Sequence, residues 1–184
     1  MRMVLLGVLC IALPAAAVLR GGTFDPPRDA PEFVLRGSNG AALRMSDHRG
    51  KVVALGFGYT SCPDVCPTTL ADLAKARRKL GAPADFQVIY VTVDPERDNA
   101  AVLRKYLGAF DASFLGATGN EDELAAVRKA YGITTSRVAS ALTYYVHHSS
   151  YVYLVDRDGK LRVMMPFGTS PDDMAHDVKM LLAR

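Results

Sequence analysis

A chain of 184 residues, 49% hydrophobic and 22% charged, suffices for one domain with a sizeable core plus a short extra segment. Its 22 basic and 19 acidic residues give a net charge of +3. The signs are interleaved, and the longest basic cluster, Arg77-Arg78-Lys79, reads as a solvated helix face, so a nucleic-acid surface is excluded.

Residues 3–19 are almost wholly apolar, with Arg2 ahead and Arg20-Gly21-Gly22 behind. This is an export signal. The run is long for a cleaved signal peptide and slightly short of the roughly 20 residues of a full span. We read residues 1–20 as a signal anchor in a bacterial inner membrane, the domain facing the periplasm. Cleavage at Ala15-Ala16-Ala17, leaving a soluble periplasmic protein, is the alternative. Cys10 lies inside the apolar run, buried in lipid or removed.

Residues 21–30 are rich in Gly, Pro and Asp and read as a tether to a domain over 31–184. Residues 32–50 predict a hairpin turning at Ser38-Asn39-Gly40. Residues 51–59 (KVVALGFGY) and 86–93 (FQVIYVTV) are apolar runs of buried-strand type, and 114–117 is a shorter strand. Helices are expected over 67–80, over 99–110, and over 120–131 with Asn120 as cap and Glu123 three residues on. Residues 150–155 and 161–167 predict a second hairpin, and Ser170-Pro171 opens a last helix. The order implies an α/β fold: a mixed central sheet flanked by helices, with an N-terminal hairpin extension.

Cys62 and Cys66 stand in GFGYTSCPDVCPTTL, between a core strand and a helix. A dithiol at that junction is where a thioredoxin-like fold carries its active site. Pro67 suits a first helical position, which puts both cysteines at the positive end of the helix dipole, where thiolates are favoured. Two exported cysteines would ordinarily close a structural disulfide, but a loop this short gains little from one. Redox exchange and the binding of a soft metal such as Cu(I) both remain open. Thioredoxin-type oxidoreductases place two residues between their cysteines; here there are three. Of the four histidines, His48 and His176 read as surface residues. His147 and His148 precede the strand whose entrance faces the dithiol in thioredoxin-like folds; an ordinary strand edge is the plainer account of the pair.

GFGYTSCPDVCPTTL, VTVDPERD and HSSYVYLVDRDGK together resemble the Sco/SenC family of copper-binding, thioredoxin-fold proteins, from about Pro31 to the C-terminus. The resemblance implies Cu(I) or Cu(II) held by Cys62, Cys66 and His148, and a copper metallochaperone assisting assembly of the binuclear copper site of cytochrome c oxidase. Subunit II of that oxidase, or another copper acceptor, would be the partner, together with a periplasmic thiol reductant. His148 matches the family's spacing to Tyr153-Leu154. Many relatives carry Asp at the place of His147, which leaves substitution of one imidazole for the other open. Asp94 is assigned a role behind the ligands or in partner docking, with a turn carboxylate for residues 95–98 as the alternative. Asp64 opens the turn between the cysteines or tunes the charge of the site. The rival function is a thiol-disulfide oxidoreductase that reduces the oxidase subunit's cysteines, with Cys62 and Cys66 catalytic. A peroxidase fits poorly, because such enzymes place a Thr three residues before the reactive Cys and Thr60 is two before Cys62.

Overall fold

The structure is a computed structural model that describes residues 18–141 and 143–184. The apolar run of residues 3–17, with its cleavage motif and Cys10, lies outside the described residues. Among those described, no helix is long and apolar enough to cross a membrane.

In chain order the elements are β1 (Gly22–Asp29), β2 (Val34–Gly37), β3 (Ala42–Arg44), a 3-10 turn (Met45–His48), β4 (Val52–Gly58), α1 (Val65–Lys79), β5 (Phe86–Thr92) and α2 (Ala100–Gly108). There follow β6 (Leu115–Thr118), α3 (Glu121–Ala130), β7 (Thr135–Ala139), β8 (Tyr144–His148), β9 (Tyr151–Val155), β10 (Lys160–Pro166) and α4 (Pro171–Leu182). Eight strands form one sheet in the order β1-β10-β9-β4-β5-β6-β2-β3, and β7 and β8 form a separate hairpin. β4 runs parallel to β5, and β5 to β6, while β9 lies antiparallel against the other edge of β4. Every residue of β4 is buried, which is why its sequence is an unbroken apolar run rather than an alternation. This is the mixed, thioredoxin-like sheet expected, and the N-terminal hairpin β2–β3 extends it through β6.

Helices cover both faces. Tyr90 of β5 is in register with Gly116 of β6, so the two share a face. Leu103 and Leu107 of α2 stand over Gly116, and Cys66 of α1 lies close to Gly58 and Tyr90. α4 packs alongside α1 in the same layer. On the opposite face Tyr131, at the end of α3, packs against Phe57 at 5.6 Å and Tyr153 at 5.8 Å.

Two expectations are corrected, and one element is added. Residues 22–29 are not a tether but an edge strand, paired with β10 at Gly22–Thr23 and again at Arg28–Asp29 with an irregular stretch between. Pro26 and Pro27 fall in that stretch, where no ladder bond is needed, and an edge strand tolerates them. The Asp177 carboxylate also accepts hydrogen bonds from the backbone N–H of Arg20 at 2.8 Å and of Gly21 at 2.9 Å, so the domain begins about ten residues earlier than residue 31. α1 starts at Val65 rather than Pro67; proline is harmless anywhere in a first turn, since those N–H groups have no intrahelical partner. The β7–β8 hairpin was missed altogether. Its signal was present in the period-two pattern of Tyr144, Val146 and His148 against Tyr145 and His147.

Candidate metal centre

The dithiol loop is built by the end of β4. After Gly58 the chain leaves the sheet, and a turn in which Cys62 N–H donates to the Tyr59 carbonyl at 3.3 Å leads into α1. Asp98 holds the loop from beneath. Its fully buried carboxylate accepts from Thr60 N–H at 3.0 Å, Thr60 Oγ1 at 2.5 Å and Thr92 Oγ1 at 2.7 Å. Burial pushes the Asp98 pKa up, and these donors pull it back. Sequence reading passed over Asp98; its place in VDPERD, four residues after Asp94, was the available signal. Asp64 precedes α1 with its side chain exposed and making no capping hydrogen bond, so it meets the site through its backbone amide rather than its carboxylate.

Cys62 is half-buried and Cys66 is buried, and neither is in a disulfide. Cys66 N–H points at Cys62 Sγ at 3.5 Å. The Cys62 pKa is pulled down to about 3, chiefly by a hydrogen bond from the Cys66 thiol against the opposing effect of burial, with further help from the amides of Asp64 and Cys66. The Cys66 thiol is pushed up by the same hydrogen bond and by burial. The pair therefore keeps its proton on the inner sulfur and presents a thiolate outward.

His148 comes from β8. Along that strand Tyr144, Val146 and His148 turn inward, while Tyr145 and His147 are exposed. His148 Nε2 stands 3.4 Å from Cys66 Sγ, and Nδ1 stands 3.0 Å from the Ser149 carbonyl oxygen. A carbonyl only accepts, so the proton of the neutral ring sits on Nδ1 and the Nε2 lone pair faces the sulfur. A backbone partner that fixes the tautomer in this way is the usual support of a metal-binding imidazole. Tyr59 meets the ring edge-on at 6.1 Å, and its Oη accepts from Val146 N–H at 3.3 Å.

Asp94 does not reach the sulfurs. It is fully buried, which removes it from any partner surface, and it anchors the hairpin instead. Its carboxylate accepts from Tyr144 Oη at 2.7 Å and pairs with Arg97. The Arg97 guanidinium lies 3.9 Å above the Tyr144 ring, and Arg137, itself paired with Glu96, lies 4.1 Å from the same ring. The tyrosine at the base of β8 is thus stacked by two cations and tied down by its hydroxyl.

Two sulfurs and one imidazole nitrogen form a soft donor set of the kind Cu(I) prefers. Among the described residues no group of three or more His, Cys, Asp or Glu side chains is placed to hold a metal ion. Outside the three donors lies an open groove of about 370 Å³, lined among others by Tyr59, Cys62, Asp64, Tyr145, His147 and His148. Met164 and Met165 lie in β10; Met165 is fully buried and packs in the core.

Comparison with known proteins accords with this geometry. The SCO1/SenC family model matches residues 23–183. An SCO2-like protein of Rickettsia felis is 32% identical over 152 residues, covering 80% of this chain and 74% of that one. The structure of Bradyrhizobium japonicum ScoI with copper bound superposes with a TM-score of 0.77 at 35% identity, over 84% of this chain and 99% of ScoI. BsSco, described as having a disulfide switch and as one of the Sco family of cytochrome c oxidase assembly proteins, superposes with a TM-score of 0.67 at 26% identity, over 85% of this chain and 95% of its own. With the family model spanning nearly the whole described chain, this protein belongs to the SCO1/SenC family.

Proposed function

We propose that the protein is a copper chaperone that holds one copper ion by Cys62 Sγ, Cys66 Sγ and His148 Nε2 and passes it to an acceptor in cytochrome c oxidase assembly. The observation that carries this reading is the His148 ring, its Nδ1 committed to the Ser149 carbonyl and its Nε2 turned to Cys66 Sγ at 3.4 Å. The copper-bound state of ScoI and the assembly role of the BsSco family support it. Three donors leave copper a free coordination position. An incoming thiolate or imidazole entering along the groove takes that position, and Cys62, the more exposed sulfur, is the first ligand to exchange. Subunit II of the oxidase offers such ligands. The apolar N-terminal run holds the domain at the periplasmic face of a bacterial inner membrane, where a thiol reductant keeps the pair open, because copper uptake requires deprotonated, reduced thiols.

A second reading rests on the polarised pair itself. An outward thiolate beside an inner thiol is the arrangement of a thiol-disulfide oxidoreductase, and the disulfide switch of BsSco supports it. Attack by Cys62 on a partner's disulfide would form a mixed disulfide and release one partner thiol. Attack by Cys66 on that mixed disulfide would close the Cys62–Cys66 bond and release the second.

Anaerobic titration of the reduced full chain in detergent with Cu(I) separates the two. One copper per chain, lost in Cys62→Ser and weakened by orders of magnitude in His148→Ala, is the expected result. Undiminished affinity in His148→Ala overturns the three-donor site. No copper bound by the wild type leaves the exchange reaction as the function.

A further inference from the structure

Tyr90 lies on β5 with 2% of its surface exposed, and its hydroxyl has no hydrogen-bond partner. Buried hydroxyls are satisfied in the great majority of cases, so the direction in which this one points carries information. It points at the dithiol. A Cβ placed on Gly58 would stand 1.9 Å from Tyr90 Oη and 2.8 Å from Cys66 Sγ, so oxygen and sulfur converge on the space that glycine leaves open. Gly58 is not among the residues with positive φ, so the site uses its lack of a side chain rather than its torsional freedom. The crevice bounded by Cys66, Tyr90 and His148 has a volume of about 10 Å³, at the lower limit for a single water, which leaves the sulfur as the acceptor in reach.

We propose that Tyr90 is a positioning residue that donates its Oη–H to Cys66 Sγ and so steadies that sulfur as a copper-bound thiolate. The proposal deepens the copper reading above and rests on it. When copper takes both sulfurs as thiolates, Cys66 is a buried anion that needs a donor. The inner wall of the site supplies Tyr90. A phenol is protonated at neutral pH, so Tyr90 can donate.

The test is Tyr90→Phe in the full chain in detergent, which removes one oxygen and keeps the ring. Three quantities are read: Cu(I) affinity by chelator competition, the thiolate-to-Cu(II) absorption band, and the midpoint potential of the metal-free Cys62–Cys66 couple. With the melting temperature unchanged, Cu(I) affinity falls by about tenfold, the scale of one hydrogen bond to a charged acceptor. The absorption moves to longer wavelength, because a sulfur lone pair without its donor lies higher in energy. The potential of the metal-free couple stays at the wild-type value, because in the metal-free reduced protein the Tyr90 hydroxyl has no hydrogen bond to lose. Wild-type affinity and an unmoved band overturn the proposal. If the wild type binds no copper, the copper reading fails and this proposal, which rests on it, fails with it.

Discussion

Arg97 is the residue whose loss tests how the imidazole is held in place. Arg97→Met keeps most of the aliphatic stem and removes the guanidinium. Asp94, with no exposed side-chain surface, then retains only Tyr144 Oη as a side-chain partner. The variant also loses the cation above the Tyr144 ring at 3.9 Å and the hydrogen bond to the Tyr144 carbonyl at 3.2 Å. Breaking a buried ion pair by removing one partner costs about 3–5 kcal/mol. Because 25% of the Arg97 side chain is exposed, the lower end applies, about 3 kcal/mol. For a chain of this size each kcal/mol moves the melting temperature by about 2–4 °C, so a fall of about 6–12 °C is expected in thermal unfolding of the reduced, metal-free protein. Asp94→Asn in the same chain removes the stranded charge, so the double variant recovers a large part of the loss, the signature of a direct pair. Copper affinity falls by less than about tenfold, since Val146 N–H still bonds Tyr59 Oη at 3.3 Å and keeps the end of the hairpin near the dithiol. A melting temperature within about 2 °C of wild type, on the same scale, would refute the anchoring role.

Other expectations follow from the same contacts. Asp177→Ala strands the backbone N–H groups of Arg20 and Gly21 and costs about 2–3 kcal/mol, read as a fall in melting temperature of about 4–12 °C; no change would return residues 21–30 to the status of a tether. Cys62, with its pKa drawn down to about 3 chiefly by the Cys66 hydrogen bond, is a thiolate at pH 5, where an ordinary thiol is protonated. Mass spectrometry after brief iodoacetamide treatment of the reduced protein at pH 5 should therefore find the label on Cys62 and little on Cys66. A Cys62 labelling rate that follows the ordinary thiol pKa would contradict the polarised pair. His147→Ala leaves Cu(I) affinity within about twofold, since its side chain is exposed on the outward face of β8; a loss matching that of His148→Ala would mean that the two imidazoles substitute for one another.

Much of the architecture was legible before any coordinates. β4 and β5 announce themselves as unbroken apolar runs because both faces of a central strand are covered, and the caps at Asn120 and Ser170 mark their helices because an oxygen there satisfies a free N–H. The dithiol too was plain, since spacing along one turn and the strand–helix junction are local facts. Local pattern misled at β1, where glycine and proline describe a flexible linker equally well, and only pairing with β10 and the buried Asp177 make it a strand. It was silent on Asp98, Arg97 and Tyr90, whose importance comes from neighbours distant in the chain. The choice of His148 over His147 came from the spacing of the resembled family and not from local pattern. Adjacent strand residues are chemically identical as histidines, and a period of two sends one to solvent and the other to Cys66. Which face of β8 turns inward is decided by the docking of Tyr144 on Asp94 and Arg97, a contact spanning about fifty residues that no local pattern encodes.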